Sequence, residues 1–407
     1  MLVLAGLAMP VLIGMGGLAI EGANWYQTKR ELQNAADTAA TAAATNGKSS
    51  YVGEARAVTA QYGFTHGVNG TTIEVSNTAI CPDGGSPCYS VTISRPIPIV
   101  FAQVVGFTGN TTLNGANAVS ITSTAVAKQG IERRKYCVMA LDAIGTAILS
   151  NGAPKADLSG CNIVSNSNMR CNGHDLKADH ADAVGVVDDC GVSRTSNIPP
   201  VSDPYKNLAG NIPRNSCGSP APTNVAGTQN WTGTKTFCGD LNLTGDVTLT
   251  GDNVVIVIEN GSLNLDEYVL RTASGKTATI IFTGNNSFDH QINGKKKGAV
   301  LDIRAPDSGI WKGIAIYYDP SVTENVDLDY NGNTPSLAVT GAIYMPNSNV
   351  SFGGAVGKFT SGTERCTILV VKGLQIHGTA AMLSQDCEAL GFDMPTGSLP
   401  GRGILVD

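Results

Sequence analysis

The sequence predicts an N-terminal membrane helix leading into a small antiparallel β domain (α+β). A mainly β body follows, expected as a parallel β-helix or solenoid, with a β-sandwich as the alternative. Three observations carry this. Residues 1–20 hold no charged side chain, all ten cysteines lie after that run, and short apolar strands parted by Asn/Gly corners recur through the second half.

The helix comes first. At about 1.5 Å rise per residue, the uncharged run matches a hydrocarbon core of roughly 30 Å. Its pattern continues through Glu21, Trp25, Tyr26, Lys29 and Arg30 into the alanine-dense residues 35–44 and stops at Asn46 and Gly47. Trp25 and Tyr26 fall where amphipathic rings favour the membrane–water boundary. A cleaved secretory signal has a basic start and a shorter apolar region, so a retained stem is expected. Pro10 should bend it. Gly14, Gly16 and Gly17, with Ala19 and Ala23, allow another helix to approach closely.

Beyond Gly47 the period changes to that of strands. Residues 72–76 and 89–94 alternate, with Cys81 and Cys88 in the loop between them; residues 96–101 and 111–127 follow, rich in small and β-branched side chains. The charged residues 129–135 suggest a linker. From residue 136 one design repeats: an apolar strand, an Asn/Gly corner, a second strand. Strand starts near 254, 278, 300, 314, 342 and 368 have the spacing of successive coils. Asn and Gly suit the corners because they accept left-handed backbone angles at little cost. Residues 195–236 hold six prolines among Ser, Thr, Asn and Gly, lose all periodicity, and are expected as an external loop. The resulting division is a stem at 1–47, a small β-rich domain at 48–130, a first solenoid part at 136–194, an insertion at 195–236, the main solenoid at 237–395 and a tail at 396–407.

Composition narrows the function. Only 15% of residues are charged, against about 25% in ordinary domains. The net charge of −6 and the lack of a basic run argue against nucleic acid; the cluster Lys295, Lys296 and Lys297 suits a solvated turn. The cysteines are Cys81, Cys88, Cys137, Cys161, Cys171, Cys190, Cys217, Cys238, Cys366 and Cys387. Their even number points to disulfides and an oxidising compartment. Spacing suggests pairing 81 with 88, 366 with 387 and 217 with 238, and leaves the other connectivity open. With no CxxC pair, zinc is not expected. Lys29, Arg30, Lys48 and Arg56 follow the stem, which by the positive-inside rule would put the body in the cytoplasm. The cysteines say the opposite and are given more weight.

The front end now has a likeness. Pro10, Val11 and Leu12, then residues 16–21 ending in Glu21, then Trp25, Tyr26, Arg30, Leu32, Gln33, Ala35, Ala36 and Asp37 together resemble the TadE/TadG-like proteins of the tight-adherence (Flp) pilus machinery. The resemblance is close over about residues 3–46 and loose to 127. It implies an inner-membrane or pilin-like component of a type II-secretion-related system, with its body outside the cytoplasm or incorporated in a filament. Expected partners are other pilus or secretion subunits meeting the helix, with Pro10, Glu21, Trp25, Tyr26, Arg30, Gln33 and Asp37 as its assembly residues, then membrane lipid and surface glycans. The von Willebrand A metal motif of many TadG-like chains, DxSxS, is absent. Glu21 also lies deeper than the near-terminal glutamate of processed pilins.

No catalytic or cofactor motif emerges. Asp327, Asp329, Asn331, Gly332 and Asn333 copy the opening of a calcium loop, but Ala338 replaces the closing Glu, so a tight turn fits better. His174, Asp175, Asp179, His180 and Asp182 form the one His-rich patch, better explained as a hydrated loop than as a metal site. Asp302, Arg304 and Asp307 are the nearest approach to an acid/base group, and outward charges on a strand explain them equally well. There is no GxSxG, HExxH or P-loop pattern. The expected role is a structural, non-enzymatic pilus component with a minor-pilin-like, tip or adhesive function. The alternatives are a membrane-tethered carbohydrate-active enzyme and a glycan-binding adhesin.

Overall fold

The computed structural model describes residues 2–47, 50–84, 87–152, 158–173, 175–213, 217–294, 298–328, 336–352, 366–378 and 387–406; the side chains of residues 2–13 and of Ser336 are not among them. An N-terminal helix precedes a mainly β body with parallel sheets. The chain divides into two compact units, residues 1–132 with 399–407, and residues 133–398.

In the first unit a long helix, α1 (Leu2–Asn46), is followed by α2 (Tyr51–Gln61) and by four strands, β1 (Thr72–Ala79), β2 (Cys88–Pro98), β3 (Thr111–Leu113) and β4 (Ala116–Lys135). The second helix is absent from the sequence expectation. Its Ala55 and Thr59 are buried, and tertiary packing fixes what a weakly amphipathic run of eleven residues does not announce. β2 pairs antiparallel with β1 and with β4, and β3 pairs with β4. Pro96 and Pro98 lie beyond the end of β1, where β2 bonds to β4 alone, so their missing N–H groups cost no ladder bond. Thr92 with Thr124 (2.9 Å) and Ser94 with Thr122 (2.8 Å) tie β2 to β4 by side-chain hydrogen bonds. Residues 129–135, expected as a linker, are the end of β4, and the expected tail at 396–407 contains the strand Thr396–Leu405, which lies beside β4. Polar, charged residues suit both, since a strand near a sheet edge needs no apolar run.

In the second unit every described strand pairing is parallel, which removes the antiparallel sandwich. Each strand bonds to its counterpart one segment later: Thr234–Cys238 to Val254–Glu259, that to Ala278–Thr283, and that to Ile314–Tyr318. Side chains therefore stack in columns, such as Ile256, Ile280, Ile316 and Ile343, or Ile258, Phe282 and Tyr318. The Phe282 and Tyr318 rings stack at 4.5 Å. Corners at Asn253, Asn260 and Asp266 take positive φ, as the Asn/Gly spacing suggests.

The order of stacking is not the order of the chain. Thr367–Gly378 pairs on one side with Ser336–Phe352 and on the other with Val138–Ala140 and Thr146–Gly152. The chain thus enters the middle of the stack, and later segments add outward to Ser193–Ser196. It then crosses to Thr223–Ala226, at the other end of the pairing order, and later segments add back toward the middle. The expected insertion at 195–236 contains that crossing, and also the strands Thr223–Ala226, Gln229–Trp231 and Thr234–Cys238 that open the far end. The crossing is fastened at residues 201–205. Asn166 exchanges two hydrogen bonds with the Val201 backbone (2.8 and 2.9 Å), and Tyr344 Oη donates to Asp203 (2.8 Å). The Tyr205 ring meets Tyr344 edge-on at 5.7 Å. Val254–Glu259 and Ala278–Thr283 are buried on both faces, which is why they are apolar at nearly every position.

The ten cysteines form five disulfides: 81–88, 137–161, 171–190, 217–238 and 366–387. Each joins two consecutive cysteines; 81–88 closes the loop between β1 and β2, and the other four lie in the second unit.

Candidate functional site

One face of α1 organises the first unit. Among the residues whose side chains are described, Gly17, Glu21, Thr28, Leu32, Ala35, Ala36, Ala39, Ala40, Ala43 and Ala44 are buried, a stripe at helical spacing. From Leu32 onward it packs on Ile73, Val91, Ile93, Ile121, Ala125 and Ala127 of the sheet. The alanine face of residues 35–44 therefore packs within the chain's own core. Small side chains let backbones come close: a Cβ at Gly403 would lie 2.3 Å from the Thr41 carbonyl oxygen.

At the other end of the stripe a loop after β2 closes on the helix. Glu21 is 6% exposed, and its carboxylate accepts three backbone N–H bonds, from Val100 (2.7 Å), Phe101 (3.1 Å) and Ala102 (2.7 Å). The loop then makes a 3-10 turn at Ala102–Val105. Gly17 receives the Phe101 ring; a Cβ there would stand 2.6 Å from Phe101 Cδ1. Trp25 packs at 5.8 Å from Phe107. The carboxylate thus has a structural partner set of its own, which satisfies a buried charge.

The other expected helix residues divide. Lys29 donates to the Thr122 carbonyl, and Gln33 donates to Asp37 (2.7 Å) and to the Thr124 carbonyl (3.3 Å), so these tie α1 to β4. Tyr26 and Arg30 stand exposed. The side chain of Pro10, and the bend expected there, lie outside the described residues. Among the described residues no helix is long and apolar enough to cross a membrane, and residues 1–13 of the expected span have no described side chains.

Residues 1–46 match the TadE/G-like Flp pilus-assembly domain. The matched segment is α1 itself, so the TadE/G-like region covers the stem, the Glu21 clasp and the alanine stripe. Neither a curated protein nor a solved structure matches the chain.

In the second unit most of the calcium-loop candidates fall outside the described residues. Asp327 lies in the two-residue strand Val326–Asp327, while Asp329, Asn331 and Asn333 fall outside the described residues, as do His174 and the three lysines 295–297. Asp182 is fully buried, held by Arg134 Nη1 (2.8 Å to each oxygen) and the Tyr136 hydroxyl (2.8 Å). Asp179 accepts from the Gly160 backbone. Among the described residues no three metal-ligating side chains come together. Arg304 covers the Phe392 ring at 5.3 Å, an ordinary packing role for its guanidinium.

Two features escape the sequence reading. Asn224, Asn242, Asn264 and Asn293 form a ladder of amide hydrogen bonds (3.0, 2.7 and 2.8 Å) on a half-exposed face. They line a groove of about 490 Å³ with Thr244 and Asp266. The Asn at the second position of TNVA, LNLT, LN and IN is the signal, visible once the strands are aligned. The other is the apolar loop after β2, whose Val100, Phe101, Val104, Val105 and Phe107 belong to no alternating strand.

Proposed function

We propose that this protein is a structural, non-enzymatic component of an Flp pilus-assembly apparatus. The apolar start of α1 anchors it in the inner membrane, with the disulfide-bonded body on the oxidising side. The body is a rigid parallel β-helix that serves a minor-pilin-like or tip role. The observation that carries this is the stripe on α1. It fastens a TadE/G-like helix to its own unit at described positions from Gly17 onward, and the sequence before Gly17 carries no charge that would oppose a membrane. Strands bonded in parallel to the next segment, with stacked side-chain columns and four disulfides within the second unit, support the β-helix and its stiffness. Partners that meet α1 are then other pilus subunits through its first half, and lipid.

A glycan-binding role is the second reading, favoured by the Asn-lined groove. Each interior ladder amide keeps one N–H and one lone pair for a polar ligand. Deleting the encoding gene and scoring pilus assembly and adherence tests the main reading: loss of pili is expected, and normal pili with normal adherence refute it. Loss of adherence alone, with pili intact, favours the glycan-binding reading.

A further inference from the structure

The loop after β2 has a composition that folding of the first unit leaves unexplained. Val100, Val104 and Val105 are 65, 85 and 66% exposed, and Phe101 and Phe107 also keep large exposed faces. A loop normally carries polar side chains to water, and five large apolar ones in eight residues form a patch that calls for a partner. This loop is also not free to retract. Glu21 clasps its backbone through three hydrogen bonds, Gly17 seats the Phe101 ring, and Trp25 flanks Phe107. All three anchor points lie on α1 over residues 17–25, where the charge-free run gives way to the first ionisable side chain.

We propose that this loop is a second membrane contact: a lipid-dipping wedge that Glu21 fixes beside the stem at the bilayer interface. The inference rests on the anchoring of α1 proposed above. The patch shares its level with the end of the apolar run. If residues 1–20 span about 30 Å of hydrocarbon, Gly17 lies about 6 Å inside the boundary, and Phe101 with it. Interfacial elements bury apolar side chains about 5–10 Å into that region. Ile20 and Met15 of α1 are also exposed apolar side chains over this stretch of the helix. Exposed Tyr26 follows the apolar run by less than two turns of α1, where the ring of an aromatic belt belongs. The clasp also resolves a conflict. A carboxylate at this depth would be costly unless paired, and three N–H donors satisfy it while their own loop carries the apolar side chains outward. Two contacts rather than one hold the depth and tilt of the stem.

The test uses the full chain in vesicles of phosphatidylcholine and phosphatidylglycerol. An environment-sensitive fluorophore is placed at Val104→Cys, Met15→Cys or Asn34→Cys, and lipids brominated near the headgroup serve as quencher. Quenching at 104 and 15, and none at 34, is expected. Quenching at 15 without quenching at 104 overturns the wedge and leaves the anchor standing. No quenching at either position overturns the anchor and the wedge together. Self-quenching of the probe at 104 between copies, without lipid quenching, assigns the patch to a second copy of the chain and also overturns the proposal. The Val104→Asp, Val105→Asp double variant changes only exposed side chains; it should shift the Met15 probe toward the headgroups, and an unchanged depth overturns the wedge.

Discussion

The two units of this chain solve the packing problem in opposite ways. In the first, a helix lies on an antiparallel sheet through alanines 35, 36, 39, 40, 43 and 44, with Gly403 of the last strand close against it. Small side chains bring backbones together, and stability comes from close approach. In the second, parallel segments stack large side chains in columns of Ile, Phe and Tyr, pinned by disulfides and by polar groups bonded in register. The first unit should therefore suffer most from added volume, the second from deleted pins.

The largest expected effect is at Asp182. Replacing it by Ala leaves the half-buried Arg134 without its bidentate partner and Tyr136 without its acceptor, and should cost about 3–5 kcal/mol in denaturant unfolding. A loss of less than about 1 kcal/mol would show that this polar pin does not matter. Next comes the 171–190 disulfide. Its removal by paired Ser substitution should cost about 3 kcal/mol by chain entropy, and removal of the short 81–88 loop of the first unit clearly less. Urea midpoints of the two pair variants compare them, and the reverse ranking would contradict the division of roles.

Third, Ala39→Leu adds volume where α1 meets the sheet and should destabilise by about 1–3 kcal/mol, read as a lower melting temperature. A neutral result would mean that the helix can stand off from its sheet. Fourth, Asn264→Ala interrupts the amide ladder at a position bonded on both sides and should cost about 1 kcal/mol. The ladder would be decoration if the unfolding midpoint did not move. Smallest is a pH effect from His290. Burial lowers its pKa below the ordinary 6.5, against the opposing pull of the Thr283 carbonyl and Glu324. The unfolded chain therefore binds the proton more readily. Stability should be full above about pH 6.5 and fall as the pH drops from there toward the depressed folded value. His290→Gln should flatten that slope in melts taken between pH 7 and 5, and an unchanged slope would place its cause elsewhere.

What the sequence alone determined is local. Helical spacing of Leu32 and the alanines, alternation in β1 and β2, the runs VVIVIE and ATIIFT, and cysteines close in sequence were all legible, because each depends on neighbours a few residues apart. What only the tertiary structure decided is which partner each surface meets. The alanine face turned out to serve the chain's own sheet, and Glu21 to clasp a loop some eighty residues away. The stacking order, with residues 138–196 placed beyond Thr367–Gly378, also has no sequence signature. A parallel strand accepts a neighbour from any part of the chain once hydrogen bonds and side-chain columns match, so periodicity announces the strand and burial chooses its companion.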